Sequence, residues 1–187
     1  FVPMAEKAGI KIVANERYAR ADTSVEAQVL KILAAKPDAV LIGGSGTPGA
    51  LPAISLAGRG YKGAVYGNHG MVNPDFLRVG GKSVEGLIAP TGPLVVVELL
   101  PDSSPVKSIA SSFVKAYDAA YGVQNRNAFA GYAYDANVLL EKAAPEAMTT
   151  AKPGTPAFRA ALRNALENLR EVAGTHGVYT MSPANHN

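Results

Sequence analysis

The chain contains no cysteine among its 187 residues, which excludes disulfides and any chemistry that runs through a thiolate. Its three histidines, His69, His176 and His186, stand far apart, so the usual ligands of a structural zinc site are too few and no metal is expected. Basic runs are missing as well. Net charge is +3, yet Lys and Arg are scattered between acidic residues and never gather into a stripe that would track phosphates, so nucleic acid is set aside as a partner. The longest apolar stretch, Leu94 to Leu100, is short and broken by Glu98, whereas a bilayer-spanning helix needs roughly 20 apolar residues. The chain is therefore not expected to span a membrane. Internal repeats of fixed length and low-complexity tracts are also absent, which removes solenoids and disordered linkers.

What is present is core-forming material: 48% of the residues are hydrophobic, enough for one compact domain or two modest lobes. No secretion signal opens the sequence. The first residues, Phe1 to Gly9, read as the last turns of a helix ending at a glycine cap. At the other end, Gly177-Val178-Tyr179-Thr180 reads as a strand entering a Pro-Ala-Asn turn. Both ends have the look of a fragment cut from a longer protein.

Along the chain, Ile10, Ile12 and Val13 predict a strand, and Thr23-Ser24-Val25-Glu26 supplies a capping box for a helix that runs to Lys36 and stops at Pro37. Ala39-Val40-Leu41-Ile42 is a continuous apolar run, as expected of a parallel strand covered on both faces, and it empties into Gly43-Gly44-Ser45-Gly46-Thr47. Pro48 starts a further helix, closed by Gly60. Gly63 to Gly67 repeats the strand pattern, Asn73-Pro74 caps a short helix ending before Gly80, and Gly86 to Ala89 predicts another strand. This alternation specifies an α/β fold with a doubly wound parallel sheet, whose ligands sit beyond the carboxyl ends of the strands.

Residues 92–105 lack a clear period and end in Ser104-Pro105, a cap and first-turn pair for an amphipathic helix that closes at Gly122. After a polar linker, Gly122 to Asn127, two helices follow with no strand between them, from about Ala128 to Met148 and from Thr155-Pro156 to about Val172. The broken rhythm suggests that residues 128–172 pack on a different body from residues 1–122.

Two loops carry candidate chemistry. Gly44, Ser45, Gly46 and Thr47 follow a buried strand, and their small side chains let backbone N–H groups and two hydroxyls approach a small molecule. A plain tight turn is the alternative. The loop lacks the Gly-Lys-Ser/Thr ending of a phosphate cradle, and Thr47 stands where a nucleophile elbow needs glycine. His69, Gly70 and Met71 hold the equivalent place after the next strand, and no carboxylate lies near in sequence to make His69 a base. No catalytic residue and no cofactor is assigned. Thr91, Gly92 and Pro93 form a third, lesser rim. Tyr132, Tyr134 and Asp135 sit on a helix, where packing is the better reading.

The segments Ala8-Gly9-Ile10-Lys11-Ile12-Val13, Ala21-Asp22-Thr23-Ser24-Val25, Lys36-Pro37-Asp38-Ala39-Val40-Leu41-Ile42, Asn73-Pro74-Asp75-Phe76-Leu77, Phe129-Ala130-Gly131-Tyr132-Ala133-Tyr134-Asp135-Ala136 and Gly174-Thr175-His176-Gly177-Val178-Tyr179-Thr180-Met181-Ser182-Pro183 occur in an order and spacing that covers nearly the whole chain. In them the sequence resembles the branched-chain amino acid-binding family of ABC-transporter substrate-binding proteins, with the type I periplasmic binding fold. The resemblance implies two α/β lobes that close over a solute and hand it to a membrane permease, outside the cytoplasm. It implies capture without turnover. By that likeness residues 1–122 belong to the second lobe, 128–172 return to the first, 173–187 cross back, and the second lobe's share of the site falls on Ser45, Gly46, Thr47 and His69. Members of the family place a Tyr near the first position and an acid facing the ammonium near the second; this sequence departs at both. Imidazole pairs with a buried ammonium less well than a carboxylate does, so a carboxylate-bearing or aromatic acid solute rivals an amino acid. A ligand-sensing domain of a signalling receptor, and a hydrolase using Ser45 and His69, are the alternative functions.

Overall fold

A computed structural model describes residues 1–186. The chain forms two compact units, Phe1–Thr91 and Gly92–Asn187. Within the second of these units, the helix expected before Gly122 packs against the 3-10 segment Pro93–Leu99.

In the first unit, helix α1 (Val2–Lys7) ends in a turn where Gly9 takes φ +78°. Helix α2 (Glu26–Ala34) begins after Val25, which is buried. The expected capping box does not form. The Ser24 hydroxyl accepts from the Glu26 N–H at 3.4 Å, while the Glu26 carboxylate is taken by the Arg59 guanidinium, whose Nε donates to it at 2.9 Å, and so cannot turn back to the cap. Strand β1 (Ala39–Ile42) leads into helix α3 (Gly46–Gly58), and strand β2 (Ala64–Gly67) leads through a 3-10 turn (His69–Met71) to helix α4 (Pro74–Gly80). The Asn73 side chain caps α4 by accepting from the Phe76 N–H at 3.0 Å, as its position before Pro74 specifies.

β1 and β2 pair in parallel, Ala39 opposite Ala64 through Ile42 opposite Gly67. Two expected strands differ. Residues 86–89 contribute a single parallel bridge, Tyr66 to Ile88, and residues 10–13 form no strand because among the described residues no neighbouring strand pairs with them, leaving Ile10 and Val13 exposed. The sheet is also covered on one face, not two. Val40 and Ile42 point into the core, whereas Leu41, Tyr66 and Ile88 are 46%, 41% and 58% exposed along the other face. The core joins Val29, Val40, Ile42, Ala53, Leu56, Met71 and Phe76, the apolar stripes of α2, α3 and α4 against one side of the sheet.

In the second unit, helix α5 (Lys107–Tyr121) starts after Val106, two residues beyond the expected Ser104 cap, with no side-chain cap bond. Gly122 ends it at φ +86°. Leu94, Val97, Ala110 and Val114 form a small core there. Helix α6 (Ala128–Thr150) is capped by the Asn127 side chain on the Ala130 N–H, and helix α7 (Pro156–Glu167) by Thr155 on the Phe158 N–H. α7 stops at Glu167, five residues short of the expected end, because Val172–Ala173 is strand β3, paired antiparallel with strand β4 (Val178–Tyr179).

Candidate functional site

The register of β1 on β2 sets Ile42 beside Gly67, so the loops that leave these residues emerge together at the carboxyl edge of the sheet. They touch. A side chain at Gly70 would place its Cβ 2.8 Å from the Gly44 carbonyl oxygen and 3.1 Å from the Ser45 Cβ, and one at Gly44 would meet the Gly49 Cα at 2.8 Å and the Tyr18 hydroxyl at 2.9 Å. Both positions disfavour any side chain because backbone atoms, the Gly49 Cα and the Gly44 carbonyl, stand in the way. Gly46 is glycine for a different reason. Its φ is +58° in open space, and the left-handed turn aims the chain into α3.

Ser45 is the residue before α3, with extended backbone and no side-chain cap bond. Its hydroxyl therefore stays available at the start of a 13-residue helix, where first-turn N–H groups lack intrahelical acceptors. Ser45 and Thr47 are exposed, and Gly44 and Gly46 are half-buried. His69 is exposed at the first position of the 3-10 turn. That turn is held on both sides: the Asn68 side chain accepts from the Gly70 N–H at 3.0 Å, and Asn73 Nδ2 donates to the Gly70 carbonyl at 2.7 Å. Met71 belongs to the core, 1% exposed, close to Gly67 and Gly49. It supports the rim from beneath and does not face solvent.

No acidic residue occurs between Asp38 and Asp75, so neither loop brings a carboxylate to the rim. Among the described residues no group of three or more His, Asp or Glu is placed to hold a metal. The wall of the Gly44 side is fixed by Tyr18, whose hydroxyl donates to the Pro48 carbonyl at 3.1 Å. That carbonyl needs an outside donor because its helical partner would be residue 52, a proline without an N–H. Burial pushes the Tyr18 phenol above its usual range, which keeps it a donor.

In the second unit, the third expected rim is taken up by packing, since a Cβ on Gly92 would fall on the His176 ring. The sequence reading gave Asp135 a packing role, and it missed what the residue does. Asp135 is 2% exposed, and its carboxylate accepts from the Thr175 N–H at 2.5 Å, the His176 N–H at 3.0 Å and the Tyr179 hydroxyl at 2.7 Å. The β3–β4 hairpin is thereby seated on α6. The His176 ring lies on Tyr132, centroids 4.1 Å apart, and its Nε2 donates to the Ala128 carbonyl at 3.1 Å. The only sequence signal was an acidic residue on an otherwise apolar helix turn, Tyr132 to Ala136.

Comparison with known proteins fits this geometry. The family model described as periplasmic binding protein matches residues 1–187. Among solved structures, a Rhodopseudomonas palustris CGA009 protein is 47% identical with a TM-score of 0.89, over 96% of this chain and 50% of its own. An extracellular ligand-binding receptor from Rhodopseudomonas palustris is 45% identical, TM-score 0.89, over 96% of this chain and 50% of its own. A leucine-binding protein from Thermotoga maritima shares the fold at 22% identity, TM-score 0.79, over 100% of this chain and 49% of its own. The chain thus spans about half the length of these relatives. No curated protein matches.

Proposed function

The chain belongs to the periplasmic binding protein family, and from that membership we propose that it is part of the solute-binding component of an ABC importer, working in the periplasm or anchored outside the cell membrane. The observation that carries the reading is the contact between two strand-end loops through Gly44, Ser45 and Gly70. One of these loops carries two hydroxyls and helix-start N–H groups, and the other carries the His69 imidazole. Among the described residues no helix is long and apolar enough to cross a membrane.

The solute-facing groups are Gly44, Ser45, Gly46, Thr47, His69 and Gly70, with Met71 beneath them. Such a rim favours an anionic group: hydroxyls and helix-start N–H groups donate to a carboxylate, while no acid is present to receive an ammonium. A small carboxylate-bearing or aromatic acid suits this half of the site better than an aliphatic amino acid. Residues of the first unit supply one lobe, and the remaining half of the site lies on the other lobe of the longer protein.

Calorimetry on the intact protein with amino acids, aromatic acids and dicarboxylates tests the proposal. Saturable binding of one acid, weakened by Ser45→Ala, is expected. Binding of none of the panel, or binding that Ser45→Ala and His69→Ala leave untouched, overturns it.

A further inference from the structure

Helix α3, which the Ser45 loop opens, has a gap in its hydrogen bonding one turn in. Pro52 lies buried inside it, and a proline ring both removes the N–H that would bond the carbonyl four residues back and crowds that carbonyl aside. The carbonyl concerned belongs to Pro48. The first turn of α3, which carries Gly46 and Thr47, therefore lacks at this point the bond that would tie it to the turn above. A side chain from another segment makes a bond in its place: the Tyr18 hydroxyl donates to the Pro48 carbonyl at 3.1 Å, across 30 residues of sequence. The same oxygen stands against the other end of the loop, since a Cβ on Gly44 would lie 2.9 Å from it. One hydroxyl thus meets both the residue before Ser45 and the residue after Thr47.

Tyr18 is itself held in place. Its ring packs, half-buried, against the core that joins α2, α3 and β1. The residues before it are tied to α2, the Gln28 amide donating to the Arg17 carbonyl and Lys31 pairing with Glu16, both at 3.2 Å. Burial raises the phenol above its ordinary value, so it keeps its proton at neutral pH. Without that hydroxyl the half-buried Pro48 carbonyl has only solvent to turn to, and turning toward it carries the loop along. We propose, on the reading of residues 44–47 as a solute loop, that Tyr18 is a positioning residue for it: the hydroxyl replaces the helix N–H that Pro52 lacks and so fixes where Ser45, Gly46 and Thr47 present their donors. Tyr18 acts through Pro48 and Gly44 and not by contact with the solute. An ordinary residue at position 52 would let α3 carry its own first turn, and Tyr18 would then only fill space.

The test uses the intact protein and two substitutions. Tyr18→Phe keeps the ring and removes the donor, while Pro52→Ala returns an N–H to the Pro48 carbonyl. Without solute, the Ala50 and Leu51 amides, which close the first turn of α3, are expected to exchange about fivefold faster in Tyr18→Phe, measured relative to Leu56 further along the helix. Made in a Pro52→Ala background, the same change is expected to alter that ratio by less than about twofold. Calorimetry with benzoate and succinate, one aromatic acid and one dicarboxylate, is expected to follow the same pattern, with affinity about fivefold weaker for Tyr18→Phe alone and within about twofold of its background beside Pro52→Ala. Acceleration that is equal at Leu56, or a loss that persists in full beside Pro52→Ala, overturns the proposal by making Tyr18 a general packing residue. Affinity in Tyr18→Phe equal to that of the natural protein overturns it too. If the natural protein binds neither acid, the solute reading of the loop falls, and the exchange ratios alone decide whether Tyr18 holds it.

Discussion

The Tyr179 hydroxyl donates to the Asp135 carboxylate at 2.7 Å, across 44 residues of sequence, and the same carboxylate receives two backbone N–H groups of the turn between β3 and β4. Burial, followed by the hydrogen bond to Asp135, pushes the Tyr179 phenol far above its usual range. The phenol therefore remains a donor at neutral pH.

Removing the acceptor should therefore cost much more than removing one donor. Asp135→Ala leaves buried N–H groups without partners and is expected to destabilise the intact protein by on the order of 3 kcal/mol, against about 1–2 kcal/mol for Tyr179→Phe. Urea unfolding monitored by circular dichroism checks the order. Equal losses for the two variants would mean that the backbone donors contribute nothing.

Burial holds the His176 imidazole below the ordinary value of 6.5, and it outweighs the opposite pulls of the Ala128 carbonyl and the Asp135 carboxylate. The unfolded chain therefore binds the proton first. This contribution to stability is complete above pH 6.5, is lost as pH falls through that value, and levels off once the folded ring protonates too. Unfolding midpoints at pH 7.5 and 5.5 should differ less in His176→Gln than in the natural protein. An identical difference would assign the pH dependence to other groups.

The glycines of the rim separate by mechanism. Gly44→Ala drives a methyl group into the Gly49 backbone and is expected to cost about 1–3 kcal/mol and to displace the loop. Gly46→Ala meets open space and carries only the left-handed backbone penalty, about 1–2 kcal/mol. Solute affinity in the intact protein should collapse for the first and fall only slightly for the second, measured by calorimetry at a temperature where both remain folded.

His69→Ala should weaken binding of an acidic solute by about two- to tenfold, the loss of one hydrogen bond of ~0.5–1.5 kcal/mol. His69→Asp should weaken it further and improve the relative binding of an amino acid, whose ammonium then has a partner. Titrating both variants of the intact protein with an acid and an amino acid reads the two effects together.

The part of the fold legible in the sequence was the part whose signals are local. Ala39 to Ile42 announced β1 by its apolar run, Asn73 before Pro74 and Thr155 before Pro156 marked helix starts that the structure keeps, and the two strand-end loops were placed side by side from topology alone. The failures share one cause, partners distant in sequence. Ile10 to Val13 has the composition of a strand and, among the described residues, no neighbouring strand to pair with; Glu26 left its capping box for Arg59, 33 residues on. Asp135 read as packing because its three donors lie 40 to 44 residues downstream. Met71 was placed at the rim from its neighbours, although hydrophobic burial turns it to the core.

The bare face along Leu41, Tyr66 and Ile88 has a practical consequence for handling the 187-residue chain. Salts that are excluded from protein surfaces strengthen apolar association wherever it is on offer, and here it is on offer between molecules. Ammonium sulfate should thus salt this chain out early, and crystallisation from sulfate-rich precipitants should favour lattices in which the sheets of two molecules lie face to face.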